Sequence, residues 1–129
     1  MKIAYIAHPI GGNVEVNLKR IRKIAREINL HEPSTVPFAP YYLDCVSLDD
    51  SNPSERERGI KNDIELMNRG FIDEVRLYGH KISVGMSHEI ELAHKLGIKV
   101  IPMTAKTKIQ YFEGWGVDTK IYYTPYETN

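Results

Sequence analysis

The chain carries a single cysteine, Cys45, so it can form no intrachain disulfide and cannot supply a thiolate cluster to a metal. It has no surplus of either charge: 17 Lys and Arg against 17 Asp and Glu give a formal net charge of 0. That balance argues against bulk electrostatic binding to nucleic acid or an anionic membrane, though a small anion site remains open. No apolar run reaches the roughly 18 residues that a membrane-crossing helix needs. The N-terminus MKIAYIAHPI lacks the apolar centre of a signal peptide and reads as a first strand, so a cytoplasmic location is expected. There is no internal repeat or low-complexity tract. There is also no G-x-G-x-x-G fingerprint, P-loop, HExxH pair or G-x-S-x-G elbow. Neither a metal nor a cofactor is therefore expected.

What is present suits one domain over residues 1–129, with 42% apolar and 26% charged residues. Lys2 to Ala7 is short and apolar and reads as a buried strand. The loop His8-Pro9-Ile10-Gly11-Gly12-Asn13 leads to a helix capped by Asn13. That helix carries an apolar stripe at Val14, Leu18, Ile21, Ile24, Ala25 and Ile28 and a wet face at Lys19, Arg20, Arg22, Lys23 and Arg26. Ser34 to Phe38 reads as a short strand and Ala39 to Pro53 as a long polar loop. Ser54-Glu55-Arg56-Glu57 matches a capping box opening a second helix, with Ile60, Ile64, Leu66 and Met67 as its apolar face. Asp73 to Tyr78 reads as a strand, Met86 to Leu96 as a helix ending at Gly97, and Ile98 to Met103 as a strand. Residues 104–129, rich in aromatics, are left unassigned, with Lys120 to Thr124 a candidate last strand. The alternation of strands and helices predicts an α/β fold: a small doubly wound, flavodoxin-like parallel sheet flanked by helices. Ligands of such sheets bind beyond the carboxyl ends of the strands, here His8 to Asn13 and Gly79 to Glu89.

Each candidate on that edge also has a plainer account. Gly11-Gly12-Asn13 allows backbone N–H groups to approach an anion at a helix N-terminus, or is an ordinary turn. Ser83, Gly85 and Ser87 place hydroxyls and N–H groups at the next helix start. Glu89, about one turn inside that helix, either acts chemically or complements the helix dipole. Asp63 is either a site carboxylate or a surface charge of the second helix. Glu91 points to a different face from Glu89.

These pieces together resemble the nucleoside 2-deoxyribosyltransferase family, which includes 2′-deoxynucleoside 5′-monophosphate N-glycosidases. The likeness runs over residues 2–103. It rests on Tyr5-Ile6-Ala7 with Pro9 and Gly11, on Asn62-Asp63, and on Ser83-x-Gly85-x-x-x-Glu89 followed by Ala93 and Gly97. The resemblance implies that Glu89 is a nucleophile attacking the anomeric carbon, that Asp63 passes a proton to the leaving base, and that Tyr5 holds Glu89. On this account Glu89 is ionised, helped by the dipole of its helix. The resemblance also puts a serine, Ser83, where enzymes acting on monophosphates carry one, with Gly11, Gly12, Gly85 and Ser87 completing a phosphate cradle. His8 stands where many relatives have a small residue and is expected to line the substrate pocket. The implied partner is a small-molecule nucleoside or nucleotide, and the implied assembly is a homo-oligomer, dimer or larger, in which a neighbouring subunit completes the site. The main alternative is a non-catalytic nucleotide-binding or sensing protein on the same fold.

Overall fold

The computed structural model describes residues 1–116. In chain order the elements are β1 (Lys2–Ala7), α1 (Val14–His31), β2 (Thr35–Phe38), α2 (Tyr41–Ser47), α3 (Pro53–Met67), β3 (Glu74–Leu77), α4 (Val84–Leu96), β4 (Lys99–Pro102) and α5 (Ala105–Trp115). The four strands form one parallel sheet in the order β2-β1-β3-β4. The expected doubly wound fold is the one observed. Its winding reverses at β1, so the connections leaving β1 and β3 diverge and open a crevice at their carboxyl ends.

Side chains alternate across the sheet and divide the core in two. Tyr5, Ala7, Val75 and Leu77 pack with Met67, Met86, Ile90 and Tyr111. On the opposite face Ile6, Tyr78, Ile101 and Met103 pack with Ile28 of α1. The Asn13 side chain caps α1 as expected, accepting from the Val16 N–H. A buried asparagine one turn later, Asn17, donates to the carbonyls of Ile10 at 3.0 Å and Gly11 at 3.2 Å. It thereby holds the loop after β1 in place.

Several sequence expectations need correction. The stretch Ala39 to Pro53 is not a continuous loop, because it contains α2. Seven residues are too few for a helical period to show in sequence. The Ser54–Glu57 capping box does not form either. Asn52 caps α3 by accepting from the N–H groups of Ser54 and Glu55, and Pro53 takes the first helical position, where no N–H is needed. Ile60 and Ile64 are exposed, and Met67 is the buried residue of α3. The helix turns Asp63 and Met67, one turn apart, inward instead. Met86 is not the start of its helix, since α4 begins at Val84 with Ser83 as its cap. Part of the unassigned 104–129 region is α5. Thr104 and Thr107 cap each other reciprocally there, and their hydroxyls also donate to the carbonyls of Gly79 and Leu77. The candidate strand Lys120 to Thr124 lies outside the described residues.

β3 is buried along its whole length although it contains Glu74 and Arg76. Arg76 donates to both oxygens of Glu32, at 2.8 and 2.9 Å, and to Glu74 at 2.6 Å. Lys2 reaches Glu74 at 3.1 Å. Burial pushes the Glu32 carboxyl up, but hydrogen bonds and charge from Arg76 outweigh it and hold Glu32 below the usual carboxylate range. Replacing the cation strands Glu32 and leaves Glu74 with Lys2 alone, so Arg76→Met is expected to cost about 3–5 kcal/mol in urea unfolding. Because the folded pKa of Glu32 lies below its unfolded one, its contribution is present above the ordinary glutamate range and is lost as pH falls through it. Melting curves between neutral and acid pH test this: Glu32→Gln should show the shallower acid loss, and equal slopes would contradict the assignment.

Candidate functional site

Three residues far apart in sequence meet beyond the middle of the sheet. Tyr5 comes from β1, Asp63 from α3 and Glu89 from α4. The Tyr5 hydroxyl lies 2.7 Å from Asp63 Oδ2 and is also hydrogen-bonded to Glu89 Oε2. Both carboxyl groups thus converge on one phenol oxygen. Asp63 Oδ1 is buried without a partner among the described residues. A phenol has one proton to donate, so it cannot satisfy two carboxylates at once, and ionising both side by side is disfavoured.

Burial first, and then the Asp63 charge, push the Glu89 carboxyl well above the usual range. Burial also raises Asp63, with the charge of Asp44 adding to it. Of the two carboxyls, Glu89 is raised the more strongly. That direction runs against the expectation of a Glu89 kept ionised by its helix. Glu89 lies beyond the first turn of α4, where the dipole fades, and loss of water outweighs it. Burial, reinforced by Glu89 and Asp63, likewise keeps the Tyr5 phenol protonated.

The other expected residues are placed differently. His8 is 4% exposed and follows directly on Ala7, the last residue of β1. Its Nδ1 lies 2.7 Å from the Pro9 carbonyl, an acceptor, so Nδ1 carries the proton and Nε2 is left as an acceptor. Burial is the main cause lowering its pKa, and Arg20 and His80 lower it further, so the ring is neutral. Gly79 closes over it. A Cβ there would lie 2.7 Å from Pro9 Cδ and 3.4 Å from His8 Nε2, and φ is +89°, so only glycine fits. Gly12 also needs its φ of +92°, while Gly11 and Gly12 face open space. Ser83 Oγ accepts from the Met86 N–H at 3.2 Å, and Ser87 Oγ donates to the Val84 carbonyl at 2.6 Å. Both serines line a groove of about 430 Å³ between α4 and α5, with Gln110 and Trp115 on its far wall. No hydrogen bond among the described residues joins that groove, Gly85 or the glycine loop to the carboxyl pair. As expected, Glu91 points elsewhere and accepts from Trp115 Nε1.

Sequence reasoning missed the surroundings of the pair. The Asp44 carboxylate accepts from the Asn62 amide at 3.3 Å, tying α2 to α3. Tyr41 lies against Tyr5 with ring centroids 5.9 Å apart. Both partners come from the stretch read as loop. Among the described residues, no group of three or more His, Cys, Asp or Glu side chains is placed to hold a metal.

A family model described as a domain of unknown function, DUF7768, matches residues 2–103. The chain belongs to that family. The match covers β1 to β4, so the DUF7768 region holds all three residues of the carboxyl site and leaves α5 outside. No curated protein matches the chain. Among solved structures it is similar to the 2-deoxyribosyltransferase of the psychrotolerant bacterium Bacillus psychrosaccharolyticus, at 18% identity and TM-score 0.59 over 81% of this chain and 73% of that one. It is also similar to a Leishmania mexicana 2-deoxyribosyltransferase, at 15% identity and TM-score 0.54 over 80% of this chain and 64% of that one. At such identities these likenesses show a shared fold. Among the described residues of the DUF7768 chain, no helix is long and apolar enough to cross a membrane.

The buried pair makes a signed prediction. The folded pKa of Glu89 lies above its unfolded one, so stability is full below the ordinary glutamate range and falls as pH rises through it toward the folded value. Glu89→Gln is therefore expected to raise the melting temperature at neutral pH and to lose that gain by about pH 4. Asp63→Asn removes the like charge and should move the Glu89 titration midpoint down, as read by carboxyl carbon NMR.

Proposed function

We propose that the chain cleaves or transfers at the N-glycosidic bond of a deoxynucleoside or its 5′-monophosphate, through a covalent glycosyl ester on Glu89. The observation that carries this reading is the meeting of Asp63 and Glu89 on one hydroxyl, that of Tyr5. The resemblance in sequence assigns these same three residues, and the solved structures of similar fold bear the name 2-deoxyribosyltransferase, one of them described for nucleoside synthesis.

The proton count accounts for the chemistry. Glu89 passes its proton to Asp63 and becomes the carboxylate that attacks the anomeric carbon. The bond from that carbon to the base nitrogen breaks, its electron pair stays on the base, and Asp63 delivers the proton there. Tyr5 keeps its own proton and steadies the carboxylate. In the second half, water attacks the anomeric carbon and gives one proton to Asp63, the bond from that carbon to the Glu89 oxygen breaks with its electron pair on Glu89, the sugar leaves with a hydroxyl, and Asp63 returns the proton to Glu89. A second base in place of water gives transfer. Separating the two carboxyls from water makes this proton exchange local, at the cost of holding Glu89 neutral until a substrate arrives.

Within this reading His8, Gly11, Gly12, Ser83, Gly85 and Ser87 contact the substrate, since all lie at the carboxyl edge of β1 and β3. The Ser83 hydroxyl spends its lone pair on the α4 cap and keeps its proton for a phosphate oxygen. A homo-oligomer belongs to the same reading: Leu43, Val46, Ile60 and Ile64 are exposed on α2 and α3 and give a second copy apolar area to cover.

The test is base release. Incubation with deoxynucleosides and their 5′-monophosphates, with and without a second free base, should liberate base or form a new nucleoside. Glu89→Ala should lower the rate by at least about 1,000-fold while leaving ligand binding in place. Binding without turnover by the folded wild-type chain would replace this reading with a nucleotide-binding protein.

A further inference from the structure

The carbonyls of β1 divide by parity. Ile3 and Ala7 accept from the N–H groups of Asp73 and Tyr78, so the odd residues face β3. Ile6 therefore turns its carbonyl toward β2. But β2 makes its last pairing at Tyr5 with Phe38, and the chain then leaves through Pro40, which has no N–H to offer. The Tyr41 hydroxyl takes the missing place and donates to the Ile6 carbonyl at 2.6 Å. That bond fastens the Tyr41 ring to the residue next to Tyr5. The Tyr5 ring lies between two aromatics, Tyr41 at 5.9 Å and Phe38 at 6.4 Å, and Phe38 is itself braced by Phe71 at 5.5 Å. Outward, α2 is held by Arg22 donating to the Tyr42 hydroxyl at 2.7 Å and by the Asn62–Asp44 bond.

We propose that Tyr41 is a positioning residue: anchored on the Ile6 carbonyl, it pins the Tyr5 ring so that the Tyr5 hydroxyl stays between Asp63 and Glu89. This rests on the reading of the site given above. The groups that act on Glu89 are Tyr5 of β1 and Asp63 of α3, with Asp44 of α2 acting on Asp63, while the charges of Glu89 and Asp63 in turn raise the Tyr41 phenol of α2. A purely structural Tyr41 would cap one carbonyl and nothing more. A positioning Tyr41 also sets the bond from Tyr5 to Glu89, which favours the ionised carboxylate.

Tyr41→Phe keeps the ring and removes the anchor. The readout that separates the two roles is the titration midpoint of Glu89 in the ligand-free chain, followed by carboxyl carbon NMR and assigned with Glu89→Gln. We expect Tyr41→Phe to raise the proton affinity of Glu89 about fivefold, the factor that goes with one ordinary hydrogen bond. We also expect kcat to fall on the order of tenfold with KM unchanged, since a misplaced hydroxyl affects the reacting state. Ile101→Val, in the core on the other face of the sheet, serves as the control: it should lower the melting temperature and leave the Glu89 midpoint alone. An unchanged midpoint in Tyr41→Phe, with only a lower melting temperature, overturns the proposal and leaves Tyr41 as a cap. A midpoint that falls also overturns it, because Tyr41 would then exclude water rather than place Tyr5. If the wild-type chain turns over no nucleoside, the proposed function fails, and the midpoint comparison still decides the role of Tyr41.

Discussion

The site depends on one phenol hydroxyl held between two carboxyl groups that have been taken out of water. An isolated buried carboxylate is costly, and two side by side are costlier. The Tyr5 hydroxyl between them, and a proton affinity raised by burial, make the arrangement tolerable. Everything around it serves that contact. β1 supplies the rigid base, α3 and α4 each deliver one carboxyl, and Tyr41 and Phe38 fix the ring. The unpartnered Asp63 Oδ1 shows that the satisfaction is incomplete, which is where a site differs from a core.

The two faces of the sheet solve the same problem in different ways. On the α1 face, Arg76 neutralises Glu32 and Glu74, so the carboxylates there stay ionised and structural. On the α3–α4 face no cation neighbours Asp63 and Glu89 among the described groups that shift them, and both carboxyls are pushed up instead. Identical side-chain chemistry gives an ionic brace on one side and a pair of raised carboxyls on the other. The difference lies in whether a guanidinium or a phenol sits between the acids.

Much of the fold was legible because it rests on local patterns. The strand Lys2–Ala7, the Asn13 cap and the buried Leu18, Ile21 and Ile28 of α1 each read directly from spacing, whereas Val14, expected in that stripe, is exposed because it sits at the open start of the helix. The failures were also physical. The seven-residue α2 is shorter than two full heptads and shows no period, and α3 is capped by Asn52 before a proline rather than by the Ser54 box. Charged residues in a buried strand, Glu74 and Arg76, give no sign of burial until their partner Glu32 is seen across the sheet.

The sequence by itself determined the parallel α/β order. It also supplied a tyrosine, an aspartate and a glutamate that a family resemblance could point to. Those are consequences of period, turn chemistry and motif, which act over a few residues. Only the tertiary structure decided that the three meet, that burial and the Asp63 charge push the Glu89 carboxyl up, and that burial lowers the His8 pKa. The same is true of Tyr41, which reaches back across the end of β2 to grip β1. Proton affinity follows from burial and from charges brought together over separations of tens of residues, and no local pattern in the chain encodes them.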